Sequence, residues 1–106
     1  MQPVPTNSAD MIADGLAVRV PDTNALDIIQ KGAARIVIVA KAEICRVMRI
    51  LYTDTHNLAE GAGAAALAAA LQERERLNGK RVAVIQTGGN IDRTLFATVL
   101  SEDDIE

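Results

Sequence analysis

An α/β fold, a small parallel or mixed sheet with packed helices, is predicted by three features of this 106-residue sequence. Two runs of strand length, residues 35–40 (RIVIVA) and 82–86 (VAVIQ), are rich in the β-branched residues that sheet interiors favour. Elsewhere apolar residues recur at three- and four-residue spacing, the period of a helix with one buried face. The second run stops abruptly at Thr87-Gly88-Gly89-Asn90. That pattern reads as strand, tight turn and helix, with glycine supplying backbone conformations that a Cβ resists.

Composition narrows the class. Hydrophobic residues make up 49% and aromatics 2%, so a core must be assembled from Ala, Val, Ile and Leu. The length suits one domain, expected over residues 11–100, with a flexible arm at 1–10 and an acidic tail at 101–106. A net charge of -3 with both signs interspersed gives no footprint for nucleic acid. No apolar run has the length of a membrane span, and the opening residues lack the basic and apolar regions of a signal peptide. The single cysteine, Cys45, reads as a small buried hydrophobe in a reducing, cytoplasmic setting.

The elements follow in order. Around Asp14-Gly15 a bend leads into an extended piece, residues 16–20, closed by Pro21. Asp22 and Thr23 are caps for a helix of about two turns through Leu26, Ile28 and Ile29, ending at Lys31-Gly32. Residues 35–40 form the natural sheet partner of 82–86. From Lys41 the pattern is helical, with Ile44, Val47, Met48, Leu51 and Tyr52 on one face, until the break at residues 53–57. His56, the only histidine, lacks neighbours at ligand spacing and bonds more naturally within the loop than to a metal. A long alanine-rich helix is expected over residues 60–77, with Glu60 at its positive end. Gly61 and Gly63 permit close packing there, and residues 73–76 read as a solvated charged turn. Asn78-Gly79 turns the chain into the second run. After Asn90 a last helix is expected from Ile91 to Leu100, with Leu95, Phe96, Val99 and Leu100 along one side and with Asn90 and Asp92 both able to cap.

In an open α/β sheet, ligands gather beyond the carboxyl ends of strands, which places the Thr87 hydroxyl and the Gly88 and Gly89 amides where a small anionic or heteroaromatic ligand sits. A purely structural turn accounts for the same residues, because every α/β domain needs glycine-rich turns.

Three stretches in order, SADMIADGLAVRVP from Ser8, TDTHNLAEGAGAAALAAALQERER from Thr53 and GKRVAVIQTGGNID from Gly79, resemble the C-terminal third of the pyridoxal-phosphate-dependent serine/threonine dehydratases. That resemblance implies the C-terminal part of the large domain of a fold-type II enzyme. It implies that Thr87 offers its hydroxyl to the pyridine nitrogen of the cofactor, that Gly88, Gly89 and Asn90 let the ring approach, and that Glu60 and Gly15 line the same pocket. A neutral donor at that nitrogen moderates the ring as an electron sink, which suits β-elimination. The family's Schiff-base lysine in an S-F-K-type motif and its phosphate-binding glycine loop have no counterpart in these residues, so pyridoxal phosphate is not expected to bind this chain covalently. Two functions follow from the resemblance. One is a fragment or split part of an ammonia-lyase, inactive without an N-terminal half. The other is a non-catalytic module derived from that family that binds a ligand or another protein. A homo-oligomer, most simply a dimer, is expected where strand edges are left bare.

Overall fold

The computed structural model describes Ile12, Leu16 and residues 18–102. The expected arm at 1–10, the Asp14-Gly15 bend and the end of the acidic tail at 103–106 lie outside the described residues. Four helices form in chain order: α1 Thr23–Gly32, α2 Lys41–Thr55, α3 Gly61–Gln72 and α4 Arg93–Ser101.

The first helix starts where the sequence places it. The Asp22 carboxylate accepts from the Ala25 amide at 3.0 Å, satisfying one of the donors that a helix start leaves open. Lys31 pairs with Asp27 one turn back at 2.8 Å. Nevertheless α1 buries no residue and packs on no other helix among the described residues, and Ile28 stays 71% exposed.

The core is built by the other three helices. In α2, Ile44, Cys45, Val47 and Met48 are buried, and Tyr52 meets Phe96 of α4 edge to face at 5.7 Å. His56 ends α2 in the left-handed conformation, φ 59°, its amide donating to the Leu51 and Tyr52 carbonyls. Its place in the loop is thus a backbone role. In α3 the buried residues are Gly61, Gly63, Ala64 and Ala68, small enough for that helix to lie close against α2. From α4 come Phe96 and Val99, while Leu95 is exposed. Arg49 of α2 donates to the Val99 carbonyl at 3.1 Å and reaches Glu102 at 3.5 Å. A cation thereby sits at the negative end of α4, where it is favoured.

Three expectations are corrected. The alanine-rich helix stops at Gln72 rather than Leu77. The Glu73 side chain is taken by Arg35, whose Nε donates to Oε1 at 3.0 Å and whose Nη2 donates to Oε2, and the Arg74 amide turns back to the Leu71 carbonyl. Residues 73–79 continue as turns, ending at Gly79 with φ 77°, a conformation that favours glycine.

The sheet is the second correction. Among the described residues there is no strand, and no ladder joins 35–40 to 82–86. The first run alternates as a strand does, with Val37 and Val39 half-buried while Ile36 and Ile38 are 74% and 86% exposed. The second was expected to be covered on both faces, yet Val82, Val84 and Ile85 are all exposed. A strand is defined by bonds to a neighbour. These two runs are held elsewhere, the first through Arg35 on Glu73 and Val39 on the helical core, the second through the turn that follows it.

Third, Asp92 stands at the N-cap of α4 but its side chain makes no cap bond. The first helical bond there runs from the Phe96 amide to the Asp92 carbonyl at 2.9 Å.

Candidate functional site

The glycine-rich turn at 87–90 lies against the start of α3. The Glu60 amide donates to the Gly88 carbonyl at 3.1 Å, and the Gln86 side-chain amide approaches the Leu58 carbonyl at 3.5 Å. Residues 58 and 60 therefore hold residues 86 and 88, with Thr87 between them. Thr87 is exposed, Gly88 and Glu60 are half-buried, and Gly89 and Asn90 are exposed.

Close approach explains the glycines here. Gly88 and Gly89 have no positive φ, which corrects the expectation that they are needed for unusual backbone angles. What they lack is room. A Cβ on Gly63 would stand 2.5 Å from the Gly88 carbonyl oxygen, and one on Gly89 would stand 2.5 Å from the Leu58 carbonyl oxygen. At Gly88 the obstacle is Glu60 Oε1, at 2.7 Å. The Glu60 carboxylate therefore lies over Gly88, at the N-terminus of α3, where negative charge is favoured.

Of the residues expected at one pocket, the structure brings Glu60 and Gly88 together, sets Gly89 against Leu58, and leaves Thr87 and Asn90 exposed. Gly15 lies outside the described residues. The sequence marks Gly63 for packing alone, and its partner is the turn itself; the EGAGA spacing carries that signal. Leu58 is the residue that sequence reasoning misses, and nothing in its local sequence marks it.

A concavity of about 260 Å³ lies at the other end of α3 and is lined by Glu43, Arg46, Gln72 and Arg74 among others. Glu43 Oε2 is buried there without a hydrogen-bond partner. Nine residues of helix separate Gly63 from Gln72, about 13 Å at 1.5 Å per residue, so this groove is separate from the Thr87 turn. Among the described residues no group of three or more His, Cys, Asp or Glu is arranged to hold a metal ion, and no helix is long and apolar enough to cross a membrane.

The family profile described as "Pyridoxal-phosphate dependent enzyme" matches residues 1–88. This chain belongs to that family. Its relatives include the L-threonine ammonia-lyase of Geobacter sulfurreducens, 41% identical over 90 residues, and that of Thermotoga maritima, 33% identical over 91. These alignments cover 84% and 86% of this chain, and 22% of each relative. Among solved structures, a bacterial threonine deaminase superposes with a TM-score of 0.77 at 27% identity, covering 84% of this chain and 32% of that one. A serine racemase from Dictyostelium discoideum gives 0.71 at 28% identity, over 81% and 28%. The chain thus spans between a fifth and a third of the proteins it matches, as a partial domain of a fold-type II enzyme does.

The family's cofactor is pyridoxal phosphate, and the residues present fit one edge of it. Thr87 is exposed, the Gly88-Gly89 backbone beside it carries no side chain, and Glu60 Oε1 lies over Gly88. A covalent anchor is another matter. Lys31 is paired with Asp27, Lys41 is the exposed first residue of α2, and Lys80 is exposed. Among the described residues no hydrogen bond or ion pair joins a lysine amine to the Thr87 turn.

Proposed function

We propose that this chain forms the Thr87 wall of an ammonia-lyase site that eliminates water from threonine or serine and then releases ammonia as water hydrolyses the resulting imine. The lysine and the phosphate-binding loop come from a complementary N-terminal segment. One observation supports the reading: the Glu60 amide is bonded to the Gly88 carbonyl, which holds the exposed Thr87 beside the Glu60 carboxylate. When bound, pyridoxal phosphate supplies the electron sink that makes the substrate Cα proton removable. Thr87 would donate its hydroxyl to the ring nitrogen, leaving that nitrogen uncharged. Gly88, Gly89 and Asn90 would admit the ring edge and Glu60 would offer its carboxylate to the substituted side, while Gly15 is assigned to the same pocket by the resemblance alone. None of these residues is the nucleophile, so the chain alone performs no elimination. A reducing cytoplasm suits the free, buried Cys45.

A second reading is a non-catalytic interaction module of the same descent. The exposure of Ile36, Ile38 and Ile85 favours it, because such a surface suits association.

One experiment separates the two. The chain is mixed with pyridoxal phosphate, reduced with borohydride and mapped by mass spectrometry, and ammonia release from L-threonine and L-serine is followed. Both assays are repeated after co-expression with the remaining N-terminal part of the Geobacter sulfurreducens relative. The expected result is no labelled lysine and no ammonia from the chain alone, activity on complementation, and a loss of about tenfold or more in Thr87→Val. Stoichiometric labelling of one of this chain's own lysines, abolished by Thr87→Val, overturns the proposal. Tight complementation without activity supports the module.

A further inference from the structure

We infer that Gly63 of α3 is a positioning residue for Thr87, acting through its backbone contact with Gly88. This rests on the reading of Thr87 as the ring-nitrogen partner, but its geometry stands on its own. Three glycines meet at the junction, two blocked by backbone carbonyl oxygens and one by the end of a side chain. The position of a Cβ on Gly63 lies 2.5 Å from the Gly88 carbonyl oxygen and 3.2 Å from its amide nitrogen. Both are backbone atoms of the residue next to Thr87, so neither moves without carrying Thr87 with it. A Cβ on Gly89 lies 2.5 Å from the Leu58 carbonyl oxygen and 2.9 Å from Leu58 Cδ2, again chiefly against backbone. A Cβ on Gly88 meets only Glu60 Oε1 within 3 Å, the far end of a flexible side chain.

The same carbonyl that Gly63 presses on accepts the Glu60 amide at 3.1 Å. The buried face of α3 therefore fixes the turn twice, by contact at Gly63 and by a hydrogen bond at Glu60. Displacing the Gly88 carbonyl breaks the second fixing together with the first. The outcome is a ranking that side-chain size alone does not give. Alanine at 63 or 89 moves Thr87, whereas alanine at 88 moves the Glu60 carboxylate and leaves Thr87 in place.

The test uses amide spectra and hydrogen exchange of the chain itself. In Gly63→Ala the Thr87, Gly88 and Glu60 signals are expected to shift, and Glu60 amide exchange to accelerate about tenfold or more through local opening. Signals of Cys45 and Met48 in the α2 core stay in place. Gly89→Ala moves the Thr87 signal from the Leu58 side. Gly88→Ala leaves Glu60 exchange within about threefold of the parent, and Gly32→Ala, where a Cβ meets nothing within 4 Å, leaves the junction untouched. Unmoved Thr87 signals in both Gly63→Ala and Gly89→Ala overturn the inference. So does global loss of dispersion in both, which makes the junction a support of the whole fold. No cofactor enters this experiment, so displaced Thr87 signals in a chain that never complements a lyase defeat the functional proposal and leave the positioning role standing.

Discussion

Cys45 stands in the middle of α2 with 4% of its surface exposed. Desolvation raises its thiol above the ordinary range, the Glu102 charge adds to the rise, and Lys41 and Arg49 oppose it. Because the folded value is raised, the contribution is fully present below the unfolded thiol value, about 8.5. It is lost as pH rises through the folded value, since there the unfolded chain has already released its proton. Urea midpoints are therefore expected to fall above about pH 8.5, and Cys45→Ala to flatten that alkaline slope. A thiol reagent at neutral pH is expected to react with the native chain far more slowly than with the urea-unfolded one. Equal rates would show that the thiol is accessible. The burial of this cysteine was legible in the sequence because Ile44, Val47 and Met48 surround it at helical spacing. The meeting of Glu60 with Gly88 was legible for a different reason, the resemblance carried by the TGGN turn and the EGAGA helix start. What was not legible is that contact with Leu58, rather than backbone angle, demands glycine at 89, and that the partner of Gly63 is the turn itself.

The element boundaries show where local pattern stops being informative. The starts of α1 and α2 and the small-residue face of α3 follow from caps and spacing alone. The end of α3 does not, because the residue that takes Glu73 is Arg35, 38 positions away. Residues 73–76 read as a solvated charged turn, yet Glu73 is the point where the 35–40 run is tied to the helical layer. Its carboxyl is held below the usual range by the Arg35 hydrogen bond, with the Arg35 and Arg76 charges assisting against desolvation, and the Arg35 guanidinium is raised in turn. With a depressed folded value, the stabilisation is present above the unfolded glutamate value, about 4.3, and is lost as pH falls through the folded one. Glu73→Gln is expected to lower the urea midpoint at pH 7, with a deficit that shrinks steadily as pH falls below about 4.3. Both side chains remain partly in solvent, so added salt should shrink the difference. A midpoint deficit that stays constant as pH falls below about 4.3 would show that shape, rather than charge, ties Arg35 to the end of α3.

At the scale of the molecule, a helical core of α2, α3 and α4 carries two apolar runs and a helix that it does not cover. The sheet expected from the sequence failed to appear for a physical reason: alternation is a property of one segment, as Ile36 to Val39 show, whereas a ladder needs a neighbour. Ile36, Ile38 and Ile85 are each at least 74% exposed, and α1 leaves Ile28 in solvent. Neither run holds a proline or any of the devices that blunt an edge. Association is the remedy, whether with a complementary segment or, in the isolated chain, with a second copy presenting the same patch. Light scattering at micromolar concentration is therefore expected to report a species larger than the monomer, with a thermal midpoint that rises with concentration. Replacing Ile36 and Ile38 together by lysine removes no buried contact, since both side chains point away from the core. It should shift the chain toward monomer while the α2 core signals persist. A sharp monomer peak for the parent chain, with unfolding independent of concentration, would mean that these isoleucines are tolerated in water. The two runs would then be surface connections in a self-sufficient helical domain rather than strands awaiting their neighbours.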